Sequence, residues 1–122
     1  MTSRVAVDHV RLKRAYLPAG DEDGMRVLVD RLWPRGVSKV RAALAFWNKD
    51  VPPSNELREW FGHDPARWAE FSKRYRAELQ TNLDAVEALR ALARLGRVTL
   101  IFGARDEAHN EAVVLREVLL GR

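Results

Sequence analysis

The chain has 122 residues, 47% of them hydrophobic and 31% charged, which suffices for one folded domain and excludes intrinsic disorder. It contains no cysteine, so disulfides, thiolate catalysis, zinc ribbons and iron–sulfur clusters are ruled out. The net charge of +4 arises wholly in residues 1–50, which hold 10 Lys/Arg against 6 Asp/Glu, whereas residues 51–122 hold 11 of each. A surplus of this kind attracts anionic ligands or nucleic acid, or serves solubility alone. The N-terminal stretch MTSRVAVDHVRLKR lacks a signal-peptide apolar run, and no segment is apolar over bilayer length, so a cytoplasmic protein is expected.

In chain order, Val10, Leu12 and Arg14 suggest a first strand. The acidic loop PAGDEDG, Pro18 to Gly24, carries turn residues at both ends and reads as too polar to bury. Val27, Leu28 and Val29 then form a continuous apolar run, the mark of a strand covered on both faces in a mostly parallel sheet. Ser38 is placed to cap a short helix over 39–45, and Asp50, Pro52 and Pro53 end any helix after Phe46 and Trp47. Ser54 is the next capping candidate, before NELREWF.

Asp64 followed by Pro65 signals a further helix start. Trp68, Phe71, Tyr75 and Leu79 then recur at helical spacing on one face, predicted to enter the core. Thr81 with Asp84 resembles a capping box, and Leu83, Val86, Leu89 and Ala93 line a second helix that Gly96 stops. Val98 to Phe102 is the strongest strand. Ala108, Ala112, Leu115 and Leu119 mark one face of a last helix. The expected fold is a helix-rich, single α/β domain over 1–122, with a mostly parallel central sheet flanked by helices.

Two apolar runs end in charge: VLV leads to Asp30 and Arg31, and TLIF leads, through Gly103 and Ala104, to Arg105 and Asp106. Ligands of open α/β sheets bind beyond the carboxyl ends of strands, and arginine holds phosphate or carboxylate through two hydrogen bonds. Arg35 extends this set, and Trp33 offers either a stacking surface or a core side chain. His63, beside Asp64, and His109, three residues after Asp106, are candidates for proton handling, with Asp30 and Asp106 orienting them. Asn110 adds a ligand-binding candidate. An Asp–Arg network that pins the loops is the structural alternative. The histidines and aspartates match no metal-site spacing, so no metal is expected. The cofactor stays unassigned. No phosphate-binding glycine loop, GxSxG elbow or HExxH motif occurs, nor any recognised RNA or helix-turn-helix motif.

KRAY (13–16), RVLVDRLWPRGVSK (26–39), WNKDVPPSNELREWFGHDP (47–65) and TLIFGARDEAHNEAVVL (99–115) together resemble the YeaO-like branch of a bacterial family of unknown function. The similarity runs from about Val10 to Leu119, with DRLWPRG and ARDEAHN its most distinctive parts. It implies a small bacterial α/β protein and assigns no activity or residue roles.

The reading that these residues favour is an anionic small molecule, phosphorylated or nucleotide-like, held at the carboxyl edge of the sheet, with hydrolase or transferase chemistry as the associated activity. Arg31, Arg35 and Arg105 would bind the anion. The alternatives are a nucleic-acid-associated or regulatory module with weak, non-specific nucleic-acid binding, and a structural or interaction domain. No membrane partner is expected.

Overall fold

Four parallel strands in the order β1-β4-β2-β3 organise residues 4–122, the part of the chain that this computed structural model describes. The first three residues of the stretch read for a targeting signal lie outside it. β1 (Val10–Arg14) and β2 (Met25–Leu28) both pair with β4 (Val98–Phe102), and β3 (Phe46–Trp47) pairs with β2. The two apolar runs are therefore the central strands, as expected of runs without polar alternation. In register, Val27 sits opposite Leu100 and Leu28 opposite Ile101.

Alternation along these strands divides the core. Val10, Val27, Val29, Leu100 and Phe102 join the large cluster beneath the helices. Leu28 and Ile101 point the other way, to a smaller cluster with Val37 and Ala42, against which Trp33, Leu44 and Trp47 pack. The helices contributing to the large cluster are α2 (Asn55–Phe61), α3 (Trp68–Gln80), α4 (Leu83–Leu95) and α5 (Glu111–Leu119). The second face is covered by α1 (Lys39–Ala42) and irregular chain. Among the described residues, no helix is long and apolar enough to cross a membrane.

Phe71, Tyr75 and Leu79 of α3 are buried and Trp68 partly so, while Phe61 stacks on Phe71 with centroids 4.2 Å apart. Ser54 caps α2 by accepting from the Leu57 amide, and Ser38 caps α1 through the Arg41 amide. Asp64 caps a turn of 3-10 helix, Pro65–Arg67, that leads into α3.

Several boundaries differ from expectation. α1 stops at Ala42 rather than 45, because the chain must turn at Ala43 (φ 46°) to bring Ala45 and β3 onto the edge of β2. The Thr81–Asp84 capping box does not form. Thr81 Oγ1 instead donates to the Glu78 carbonyl, Asn82 stands at the N-cap position before α4, and Leu83 is exposed. The last helix begins at Glu111, not before Ala108, because Asn110 provides its cap.

The acidic loop is also less exposed than its polarity suggests. It contains a 3-10 turn, Asp21–Asp23, and Asp23 is buried. Asp23 Oδ2 accepts from the Arg26 guanidinium at 2.7 Å, and Lys13 Nζ lies 3.1 Å from Oδ1. Burial acts to raise the Asp23 pKa, but the Gly20 amide, Arg26 and Lys13 outweigh it and hold the carboxyl below its ordinary value. Gly24 (φ 62°) closes the loop where a Cβ would stand 2.3 Å from the Arg97 carbonyl oxygen, so no other residue fits.

Candidate functional site

Because β2 and β4 are adjacent and parallel, both apolar runs leave the interior on one edge of the sheet. The Val29 amide bonds to the Ile101 carbonyl, extending the pairing one residue past β2. Asp30 follows and turns its carboxylate toward β4, where Oδ2 accepts from the Gly103 amide at 2.8 Å. A Cβ on residue 103 would come within 2.9 Å of that oxygen, so glycine permits the close approach.

Over this edge opens a cleft of about 670 Å³, within the usual range for small-molecule sites. Asp30, Arg31, Trp33, His63, Arg105 and Asp106 all line it, together with Tyr16, Arg58 and Glu111, which sequence reasoning did not single out. Leu32, Pro34 and Pro53 supply apolar wall.

The arginines differ in how fully the fold engages them. Arg31 donates through Nε to the Pro53 carbonyl (2.8 Å) and through Nη2 to that of Pro52 (3.1 Å), pinning the loop before α2 while Nη1 remains outside these bonds. Arg105 is exposed and has no hydrogen bond or ion pair among the described residues. Arg58 has a loose contact with Glu59, Nη2 to Oε1 at 3.7 Å, and its Nε is buried without a hydrogen-bond partner.

Glu111 opens α5, hydrogen-bonds to Asp30 and is raised well above the ordinary carboxylate range, first by burial and then by that bond and the charge of Asp30. Burial beside Asp30 thus favours the neutral form of the Glu111 carboxyl. Its Oε1 is buried and unpartnered. Of the three buried side-chain polar atoms without partners among the described residues, one donor and one acceptor thus belong to cleft residues.

His63 stands at φ 58°, a conformation uncommon for a residue with a side chain, directly after Gly62 at φ 52°. Tyr16 is held by the Arg14 guanidinium, 5.0 Å from its ring centroid, and by donation to the Arg35 carbonyl at 3.0 Å. Trp33 contributes a wall but is also structural. Its Nε1 donates to the Val37 carbonyl and its ring meets Trp47 edge-on at 5.5 Å.

Arg35, His109 and Asn110 do not line the cleft, which corrects their expected placement there. The main chain of Arg35 serves Tyr16. His109 precedes the helix rather than lying in its first turn, packs edge-on against Trp68 at 5.2 Å, and contacts Asp106 Oδ2 through Nδ1 at 2.8 Å. Asp106 caps no helix. It folds a turn by accepting from the Ala108 and His109 amides, and these bonds, led by the one to the His109 ring, hold its pKa below the ordinary value. Asn110 is buried, with Oδ1 accepting from the Val113 amide and Nδ2 donating to the Asp106 carbonyl. Asp106, His109 and Asn110 are placed by the need to stop β4 and start α5. Among the described residues, no cluster of three or more His, Asp or Glu side chains is arranged to hold a metal ion.

A parallel four-stranded α/β sheet with a cleft beyond the carboxyl ends of its two central strands defines the class of this protein. The chain belongs to the family described as "Inactive DUF488-N3 subclade", which matches residues 9–122, in keeping with the YeaO-like resemblance of its motifs. It is 44% identical over 113 residues to an uncharacterized protein of Mycobacterium tuberculosis, covering 93% of this chain and 95% of the relative. It is 40% identical over 111 residues to the uncharacterized protein YeaO of Escherichia coli, covering 91% of this chain and 96% of that protein. No solved structure matches.

Proposed function

We propose that the protein binds a small phosphorylated or otherwise anionic molecule in the cleft at the carboxyl edge of its sheet. The observation that carries this reading is the convergence of Arg31, Arg58 and Arg105 on one cavity, with Arg105 unengaged. Guanidinium groups bind anionic oxygens through charge-assisted hydrogen bonds. The family's description as inactive favours binding over turnover, with hydrolase or transferase activity the alternative outcome.

A thermal-shift series with inorganic phosphate, sugar phosphates, nucleotides and simple carboxylates tests the proposal. A ligand at 100 times its Kd stabilises by about 2.7 kcal/mol. The expected result is a saturable shift with at least one phosphorylated compound that Arg105→Ala removes. A shift equal in wild type and Arg105→Ala, or none across the series, counts against the site. Release of inorganic phosphate or of a transferred group in the same mixtures would replace binding with catalysis.

A further inference from the structure

Tyr16 and Trp33 both line the cleft, and the core claims them differently. Trp33 packs against the smaller core cluster, whereas Tyr16, just past β1, belongs to neither cluster and is 38% exposed. Burial therefore does not explain why the Tyr16 ring is fixed. The Arg14 guanidinium lies over it, 5.0 Å from the centroid, and its hydroxyl donates to the Arg35 carbonyl at 3.0 Å. The hydroxyl hydrogen is thus committed to the main chain, and what Tyr16 offers the cleft is its ring. One guanidinium covers one face of a ring, and the side chain as a whole stays exposed.

The same arginine ties this ring to the exit of β4. Arg14 Nε donates to the Ala104 carbonyl at 2.9 Å, and the Ala15 amide donates to the Phe102 carbonyl at 2.7 Å. Arg14 therefore touches both the Tyr16 ring and the residue that precedes Arg105, the unengaged cation of the cleft. A held aromatic ring and a free guanidinium border the cavity from adjacent stretches of chain. A ring immobilised before binding loses little freedom on stacking, and every nucleobase has a face that stacks on an aromatic side chain. In a nucleotide a single sugar separates base from phosphate, so neighbouring protein groups meet the two.

We propose that the ligand is a nucleotide whose base stacks on Tyr16 while its phosphate lies on Arg105. This inference rests on the anion reading above and adds the planar ring that the phosphorylated molecule carries. The competing role for Tyr16 is a strap that joins the chain after β1 to the Arg35 main chain through the hydroxyl. The two roles differ in which part of the side chain matters, the ring or the hydroxyl.

Calorimetric titration of the full chain with inorganic phosphate, ribose 5-phosphate and adenosine 5′-monophosphate separates the readings. The two esters share the sugar and the phosphate and differ in the base. The adenosine compound is expected to bind at least about tenfold more tightly than ribose 5-phosphate, within the range of base–aromatic stacking. Tyr16→Leu, which keeps apolar bulk without a planar ring, should abolish that difference and leave affinity for ribose 5-phosphate within about twofold. Tyr16→Phe, which keeps the ring and removes the hydroxyl, should retain the preference.

Equal binding of the two esters by wild type overturns the nucleotide assignment and leaves the anion site standing. Absence of binding by all three compounds overturns both. A preference that survives in Tyr16→Leu places the base elsewhere and overturns the assignment to Tyr16. Loss of the preference in Tyr16→Phe assigns the residue the strap role and overturns it as well. Should Tyr16→Leu not fold, the wild-type comparison and Tyr16→Phe decide.

Discussion

Oδ2 of Asp30, two residues past the end of β2, accepts a 2.8 Å hydrogen bond from the amide of Gly103, the first residue past β4. This bond ties the exits of the two central strands together and sets the floor of the cleft. Gly103→Ala should displace the carboxylate, because the added Cβ would meet it at 2.9 Å. The atom displaced is the far end of a side chain, so the expected stability loss is only about 1 kcal/mol, the value of the one bond. Urea denaturation measures it. A loss above about 3 kcal/mol would mean that the backbone, not the side chain, has to move.

Glu111 predicts a pH dependence of defined sign. Its pKa in the folded state is raised above the ordinary 4.5, so its contribution to stability is fully present below that value and is lost as pH rises toward the folded-state pKa. Glu111→Gln cannot titrate and should lack this slope. Denaturation of both proteins at a series of pH values is expected to show the variant gaining on wild type as pH increases above 4.5. Parallel curves would show that Glu111 titrates normally.

Asp23 behaves in the opposite sense. Its lowered pKa contributes stability above the ordinary 3.8, lost as pH falls through the folded-state value. Asp23→Ala leaves Arg26, 4% exposed, without its carboxylate and should cost about 3–5 kcal/mol. Lys13→Ala, which removes the more exposed cation, should cost much less. Equal losses in chemical denaturation would refute this ranking.

Two of the three cleft arginines, Arg31 and Arg105, are separable by stability. Arg105 is exposed and unengaged, so Arg105→Ala should stay within about 0.5 kcal/mol of wild type. Arg31→Ala removes the donors to the Pro52 and Pro53 carbonyls and should cost about 1–3 kcal/mol. Thermal unfolding without ligand tests both, and a marked loss in Arg105→Ala would assign that residue a structural role.

Beneath the cleft, the Tyr75 hydroxyl donates to the Val51 carbonyl at 2.6 Å, and both residues are buried. Tyr75→Phe leaves that carbonyl unpaired and should cost about 1–3 kcal/mol. Phe71→Ala, which empties a site in a three-ring cluster with Phe61 and Trp68, should cost about 3–5 kcal/mol. A Phe71→Ala loss below about 1 kcal/mol would show that this face of α3 is not core.

Local rules decided much of this protein. The continuous apolar runs at Val27–Val29 and Val98–Phe102 require cover on both faces, which makes them central and parallel, and the charged residues after each run must emerge where the strands end. Helical spacing identified Phe71, Tyr75 and Leu79 as core, because burial of one stripe is a property of the helix alone. The short strand Phe46–Trp47 was not legible. Two residues carry no periodicity, and only the open edge of β2 makes them a strand.

The same distinction applies to the cleft. Asp30, Arg31 and Arg105 announce themselves as charge next to apolar runs. Arg58 and Glu111 look like ordinary helix-surface residues. Glu111 did carry a signal, three and four residues before the buried Val114 and Leu115 and hence on their side of α5. That its carboxyl meets Asp30, however, depends on where α5 packs against the sheet. Contact between residues 81 positions apart, and the raised carboxyl pKa of Glu111 that accompanies it, are properties of packing, which brings the two carboxyl groups together and withdraws Glu111 from water.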